Sequence, residues 1–202
     1  SADGPMNLYQ SIALAANEQA KGKGVMVVFS DGIYGGRDVQ KISTCQTDAF
    51  DSKDFGGMGY MVDGVPYFYN DSVKCHTTET EFDVSSLKEL PKVGVAYFTI
   101  DADPEILDYY KESGVQGIVI AGAGSGCYSE QWNNKIDELA ETGIPVVRCS
   151  RIGSGVITQD DYFIGNIARG NDLAPQKAAT LLRLILTVTN DIEQVQNMFD
   201  KY

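Results

Sequence analysis

The chain has 202 residues, of which 43% are hydrophobic and 22% charged, values that are ordinary for a globular protein. Its 28 acidic and 16 basic residues give a formal charge of −12, which argues against nucleic-acid partners because phosphate binding needs clustered Lys and Arg. The longest apolar stretches, at residues 117–123 and 181–188, are too short to cross a membrane as a helix.

The first elements along the chain are a predicted helix and a predicted buried strand. Residues 7–20 place apolar side chains at helical spacing, with Pro5 in the first turn. GVMVVFS, residues 24–30, is a continuous apolar run of strand length, which indicates a strand buried on both faces. Such a strand needs parallel neighbours that this segment does not supply. Residues 1–75 are therefore expected to be the tail end of a larger N-terminal α/β domain.

A loop, a hairpin and a linker are predicted to follow. Residues 33–41 form a Gly-rich loop after the strand. Two aromatic-rich segments flank Asp63 and Gly64 within residues 59–71, a strong signal for a β-hairpin. Residues 76–90 are polar and acidic and end at a proline, as expected of a linker.

The second half, residues 91–202, shows a regular alternation of strand and helix patterns. Strands separated by helices predict a parallel sheet, so the fold class is α/β, with a C-terminal parallel-sheet α/β domain after the linker. The predicted strands are residues 92–100, 114–122 and 144–150, and the predicted helices are residues 103–113, 129–142, 175–189 and 191–199.

The cysteines and the single histidine do not have the spacing of metal ligands. Cys149 lies in an apolar strand pattern and is interpreted as a small core residue. A disulfide among Cys45, Cys75, Cys127 and Cys149 stays open, and His76 receives no role. We predict no metal site and no cofactor.

Six segments spread along the chain occur in the same order as in one known family, and the ordered set is more specific than any single motif. They are SADGPMNLY (1–9), GRDVQK (36–41), FDVSSLKELPKVG (82–94), GIVIAGAGSG (117–126), VVRCSRIGSG (146–155) and APQKAATLL (174–182). On these segments the chain resembles the bacterial type II L-asparaginases. The resemblance implies an amidohydrolase whose small-molecule substrate is L-asparagine and whose products are L-aspartate and ammonia.

Lys41 is the main catalytic candidate. A lysine on a polar loop is usually a solvated surface charge, but one that is desolvated near other groups has a lowered pKa and can act as a base or proton relay. The family resemblance assigns to Lys41 the proton relay that supports a threonine–aspartate pair. Arg37 and Asp38, which precede it, are expected to hold the loop through an ion pair.

The resemblance also implies a threonine nucleophile and an acyl-enzyme intermediate. An alcohol needs an adjacent base to attack, and the tetrahedral intermediate needs preorganised donors. In the family these threonines lie in motifs upstream of the segment that matches Ser1, and neither TGGT nor HGTDT occurs in this chain. The chain is therefore expected to be a C-terminal portion that is catalytically incomplete without its own N-terminal segment as partner.

Two loops of the second half are candidates for substrate binding. GAGSG, residues 122–126, is open to three interpretations: a tight strand-to-helix turn, a phosphate cradle, or the family's loop that reaches a neighbouring subunit's active site. Under the last interpretation, Ser125 and Cys127 stand where relatives usually offer an asparagine amide. Tyr162 stands where relatives frequently offer a carboxylate, and Asp160 and Asp161 come directly before it.

The resemblance implies a homotetramer built from tight dimers, with active sites between subunits, and export to the periplasm or exterior. The preference between asparagine and glutamine stays open, because two of the positions that would inform it depart from the family pattern. A second hypothesis is a non-catalytic α/β module that uses GAGSG and the acidic segment after Ser150 to bind a small polar ligand.

Overall fold

The computed structural model describes residues 3–163 and 165–202. The chain divides into two compact units, Ser1–Thr80 and Glu81–Tyr202, called the first and the second unit below. None of the helices within the described residues has the length and apolar character needed to cross a membrane.

The first unit opens with helix α1, Gly4–Ala15, followed by a 3-10 turn at Glu18–Ala20. Pro5 lies in the first helical turn, as predicted, where its missing N–H costs nothing. The helix ends before residue 20, where the sequence predicted its end. Two of its polar side chains form hydrogen bonds with the turn at Ser30 and Asp31. The Asn7 amide oxygen accepts from the Ser30 N–H at 3.0 Å, and the Gln10 amide donates to Asp31 at 2.7 Å.

Four strands of the first unit form an antiparallel sheet in the order β1-β2-β5-β6, and two short strands form a separate ribbon, β3-β4. The core of the unit contains Leu14 of α1 together with Val28, Ile33, Met58 and Met61. The strands are β1 Met26–Phe29, β2 Gly32–Gly35, β3 Gln40–Lys41, β4 Phe50–Asp51, β5 Gly59–Val62 and β6 Val65–Phe68.

The prediction that the first strand is buried on both faces among parallel neighbours is wrong. β1 pairs antiparallel with β2, and of its four residues only Val28 is buried. Ser30 and Asp31 both have positive φ, of 46° and 65°, which gives the two-residue turn that suits the twist of a hairpin. The need for missing parallel strands, which was inferred from β1, therefore falls away.

The prediction of a Gly-rich loop over residues 33–41 is also partly wrong. Residues 33–35 belong to strand β2, and residues 40–41 form β3. The predicted hairpin is confirmed: β5 and β6 pair in antiparallel register across Asp63 and Gly64. Both turn residues have positive φ, 51° and 77°, as the Asp-Gly pair predicts.

The second unit is built on a parallel four-stranded sheet in the order β10-β9-β8-β7, which confirms the predicted α/β fold class. The short strand β10 was not predicted, because three residues after an irregular loop carry too little pattern. The strands are β7 Val93–Tyr97, β8 Gly117–Gly122, β9 Val146–Ser150 and β10 Ile167–Arg169; the helices are α2 Ile106–Glu112, α3 Glu130–Ala140, α4 Pro175–Ile185 and α5 Ile192–Lys201.

The sheet of the second unit has a hydrophobic core on each face. Val119 and Val147 point to the core formed with α4 and α5, whereas Ile118 and Ile120 point to the core formed with α2 and α3. All six residues of β8 are buried, as expected of a central parallel strand. Strands covered on both faces give a rigid base for the loops at their ends.

The beginning and the end of the second unit are joined by a polar contact. The Lys201 ammonium lies 2.7 Å from the Glu81 carboxylate, which also accepts a hydrogen bond from the Tyr202 hydroxyl. The rings of Phe82 and Tyr202 pack at 4.9 Å between centroids. These contacts tie the segment before β7 to the end of α5.

Leu182→Ala should destabilise the second unit by about 2–5 kcal/mol, because Leu182 is fully buried between α4 and the sheet and its loss leaves a cavity. Urea denaturation measures the change in the free energy of unfolding. Gln176→Ala, at an exposed position of the same helix, is the matched control and should change stability by less than about 0.5 kcal/mol. Equal effects of the two substitutions would contradict the described packing of α4.

Glu81→Gln should lower stability at neutral pH, and this effect should be smaller at pH 3. The hydrogen bonds from Lys201 and Tyr202 lower the pKa of Glu81 from 4.5 to about 2. A carboxyl group whose pKa is lower in the folded than in the unfolded protein stabilises the fold at pH values above its unfolded pKa. This stabilisation is lost as the pH falls from 4.5 towards 2. Urea titrations at pH 7 and pH 3 test this, and a difference between the two proteins that does not change with pH would rule it out.

Candidate active site

The candidate site of the second unit lies at the carboxyl ends of the parallel strands, where α/β sheets commonly bind ligands. β8 ends at Gly122 and β9 at Ser150. The segment after β8, residues 122–128, is called the glycine loop here, and the segment after β9, residues 151–166, the acidic loop. All three substrate-binding candidates of this unit lie on these two loops.

The glycine loop is a tight turn closed by reciprocal backbone bonds. The Ala123 N–H donates to the Cys127 carbonyl at 2.8 Å, and the Cys127 N–H donates to the Ala123 carbonyl at 2.7 Å. A Cβ atom on Gly122 would lie 2.3 Å from the backbone of Gly126, so only glycine fits there. The geometry therefore accounts for this glycine by the turn itself, without a phosphate ligand.

Arg148 of β9 joins the two loops. Its side chain is buried, with 3% exposure, on the sheet face that carries α2 and α3. Nη1 donates to the Ser125 carbonyl of the glycine loop at 2.8 Å, and Nη2 donates to the Thr158 carbonyl of the acidic loop at 2.7 Å. One guanidinium thus bonds to both loops, which are also joined by the Arg151 N–H, since it donates to the Gly122 carbonyl at 2.9 Å.

An aromatic group covers the buried charge. The Phe163 ring centroid lies 4.3 Å from the guanidinium carbon of Arg148, and the rings of Tyr128 and Tyr162 pack against Phe163 at 4.8 and 4.9 Å. A guanidinium over an aromatic face is stabilised by the ring quadrupole. Burial raises the pKa of Tyr128 and lowers that of Arg148.

The predicted substrate residues of these loops occupy exposed positions. Ser125 and Cys127 are both exposed, and Tyr162 retains 53% of its surface. The Asp160 carboxylate accepts from the Tyr162 N–H at 2.9 Å, so it stabilises the turn that presents the phenol. The side chain of Asp161 lies outside the residues that can be described.

Lys41 lies in the first unit, on the two-stranded ribbon. It pairs with Phe50 of β4, and its exposed ammonium lies 5.4 Å from the Phe50 ring centroid. The expected ion pair between Arg37 and Asp38 is present at 2.8 Å, with each side chain 19% exposed. The β3-β4 ribbon, rather than the predicted Gly-rich loop, therefore presents Lys41, with an aromatic ring beside its charge.

The four cysteines are free thiols in this structure, so none forms the disulfide that the sequence left open. Cys149 is buried in the sheet, as predicted, and burial raises the pKa of its thiol to about 12. No group of three or more His, Cys, Asp or Glu that could hold a metal ion occurs within residues 3–163 and 165–202.

Sequence reasoning missed Arg148, whose strand was read only as an apolar element. The available signal was a single charge inside the run IPVVRCS, close to the carboxyl end of a strand. A buried charge needs hydrogen-bonding partners, and such partners are found most readily in the loops at a strand end. Phe163 carried no comparable signal, since its contact with Arg148 depends on the path of the acidic loop.

Comparison with protein families finds matches along nearly all of the chain. Residues 92–199 match the family model described as the glutaminase/asparaginase C-terminal domain. Residues 1–74 match the model described as the N-terminal domain of asparaginase. The resemblance inferred from the six sequence segments is therefore confirmed.

Individual relatives agree with these matches. L-asparaginase 2 of Bacillus subtilis is 41% identical over 203 residues, which cover 100% of this chain and 54% of the relative. Glutaminase-asparaginase of Acinetobacter glutaminasificans is 40% identical over 209 residues, covering 100% of this chain and 62% of the relative. A crystal structure titled a probable cytoplasmic L-asparaginase from Campylobacter jejuni superposes with a TM-score of 0.94 at 42% identity, over 99% of this chain and 66% of the other.

These lengths bear on the expected N-terminal partner segment. The full length of the chain matches these two relatives, but it spans only 54% and 62% of their lengths. The expectation that the chain is catalytically incomplete is not supported by the family match, because the N-terminal domain model already matches residues 1–74.

Arg148→Met should destabilise the second unit by about 1–3 kcal/mol for each of the two carbonyl groups that lose their donor. Arg148→Lys should restore only part of the loss, because one ammonium cannot reproduce the planar fork that reaches both loops. Urea denaturation measures both variants. Arg183→Met, at a partly buried arginine of α4, is the control for loss of one positive charge and should have a smaller effect.

Proposed function

The chain belongs to the glutaminase/asparaginase family, and from this premise we propose that the protein is an amidohydrolase that converts L-asparagine to L-aspartate and ammonia. The observation that carries the proposal is that both domain models of the family match, in order, along residues 1–74 and 92–199. The relatives that match the full length of the chain are named L-asparaginase or glutaminase-asparaginase. The activity is proposed for the protein at its natural length.

The proposed chemistry is acyl transfer through a threonine. The hydroxyl oxygen attacks the side-chain amide carbon, the tetrahedral intermediate expels ammonia, and water then hydrolyses the acyl-enzyme to aspartate. Because neither TGGT nor HGTDT occurs in the 202 residues, no threonine of this chain is assigned as the nucleophile.

Lys41 is proposed as the proton relay of this reaction. It closes the GRDVQK segment, and its backbone is held in the β3-β4 ribbon, where Ile42 donates to the Ala49 carbonyl at 2.8 Å. The ion pair of Arg37 and Asp38 stiffens the turn before β3. These contacts support a fixed position for the backbone of Lys41, while the exposed ammonium stays available to a partner group.

Ser125, Cys127 and Tyr162 are proposed as substrate-binding residues of the loops that Arg148 holds. They offer a hydroxyl, a thiol and a phenol where the family usually offers an amide and a carboxylate. A neutral phenol attracts the substrate ammonium less than a carboxylate does. We therefore expect this site to bind the α-amino group of the substrate less tightly than a site with a carboxylate. The preference between asparagine and glutamine is not taken over from the family and has to be measured.

Assembly, compartment and domain limits remain proposals as well. A homotetramer with sites between subunits is supported by the family resemblance, and so is export to the periplasm or exterior, although the Campylobacter jejuni structure is titled cytoplasmic. The proposed domains are residues 1–75 and 91–202 with a linker at 76–90. The chain divides into its two units after Thr80, a position that lies inside the proposed linker.

Lys41→Met should lower kcat/KM for L-asparagine by at least about 100-fold, the smaller end of the range for a positioned proton-transfer group. Ammonia release is measured with the protein at its natural length, with L-asparagine and with L-glutamine. Lys53→Met is the matched control, since Lys53 is also an exposed lysine of the first unit, and it should keep the parent rate.

Two results would count against these assignments. An active protein whose Lys41→Met variant keeps the parent rate would remove Lys41 from the relay while leaving the activity intact. A protein that releases no ammonia from either amide, yet binds amino acids in calorimetry, would instead support the second hypothesis of a non-catalytic binding module.

A further inference from the structure

Two arginines lie side by side at the carboxyl edge of the parallel sheet. Arg148 of β9 and Arg169 of β10 are register partners, so their side chains leave the same face of neighbouring strands. Like charges directly opposite one another in a sheet are destabilising. This pairing calls for a compensating negative charge.

The guanidinium groups of Arg148 and Arg169 differ in the number of hydrogen bonds that they form. Arg148 uses two N–H groups for the Ser125 and Thr158 carbonyls, which are neutral acceptors. The Arg169 backbone N–H donates to the Gln196 side chain at 2.7 Å, but its guanidinium has no hydrogen bond or ion pair with the residues that the structure describes. Burial lowers the pKa of Arg148, the Asp160 carboxylate opposes this shift, and the smaller effect of the Arg169 charge adds to it.

A small cavity of about 120 Å³ separates this pair from the acidic loop. Asp160 is the one acid among its described lining residues, and one of its carboxylate oxygens already accepts from the Tyr162 N–H. The described part of the lining therefore carries two positive charges against one negative charge. It consists of Arg148, Gln159, Asp160, Phe163, Gly165, Ile167 and Arg169.

We propose that this cavity binds a small oxyanion, of the class of sulfate, phosphate or a short carboxylate, between Arg169 and Arg148. A cavity of about 120 Å³ has room for a tetrahedral oxyanion, since a water molecule takes about 30 Å³ of liquid. Guanidinium groups bind such anions through charge-assisted hydrogen bonds. The bound anion would neutralise the arginine pair and hold the acidic loop, a role separate from amide hydrolysis.

Sulfate binding to the purified protein tests the proposal by calorimetry, at an ionic strength held constant with sodium chloride. The parent should bind one sulfate, and Arg169→Gln should weaken binding by at least about tenfold, the effect of losing a charge-assisted contact. Arg183→Gln, which removes the same charge from α4, should bind as the parent does. Arg169 is chosen because Arg148 also holds the loops and its loss could disturb folding.

Thermal unfolding supplies an independent readout with a definite sign. Without sulfate, Arg169→Gln should unfold at the same or a higher temperature than the parent, because it relieves like-charge repulsion. With sulfate, the parent and Arg183→Gln should gain stability, and Arg169→Gln should not.

A parallel acetate titration distinguishes the two sources of such an anion. Tighter binding of sulfate identifies an inorganic oxyanion as the occupant, and tighter binding of acetate identifies a carboxylate; either result, with dependence on Arg169, supports the site. No binding of either anion by the parent, or equal binding by the parent and Arg169→Gln, would overturn it. Since amide hydrolysis is not measured, these results do not depend on the proposed activity.

Discussion

The arrangement of the loops in the second unit depends on the hydrogen bonds formed by one buried positive charge, that of Arg148. Arg148 lies in a strand with hydrophobic cores on both sides of the sheet, where an unpaired charge would be strongly unfavourable. Its two hydrogen bonds end on carbonyls of different loops, and Phe163 covers its face. The charge can therefore be accommodated only when the glycine loop and the acidic loop are both in place.

This constraint connects the fold to the proposed chemistry. The central strands β8 and β9 are almost entirely buried, so their carboxyl ends form a rigid base. The glycine loop closes on itself through backbone bonds. The acidic loop is held by Arg148 and Phe163, and by the Ile157 N–H, which donates to the Asn171 carbonyl at 2.9 Å. Residues proposed to meet substrate stand on these loops, while the proposed proton relay stands on a ribbon of the first unit. In each unit, the polar groups that are proposed to act on the substrate therefore lie on loops or short strands.

The elements that could be predicted from the sequence are those whose signal is local. The Asp63-Gly64 hairpin and the buried strand β8 follow from turn chemistry and from apolar runs. β1 was misread because Ser30-Asp31 is a less distinctive turn than Asp-Gly, so an apolar run was taken for a parallel strand. The ordered family segments located the candidate loops. The link through Arg148 could not be predicted, since it joins carbonyl groups that are distant in sequence.

Amide hydrogen exchange of the two loops in the parent and in Arg148→Lys tests the central claim most directly. If one guanidinium holds both loops, exchange should accelerate in the glycine loop and in the acidic loop by similar factors, while β8 and α4 keep their protection. Acceleration in only one loop, or in neither, would contradict the account, because the loops would then be fixed independently of Arg148.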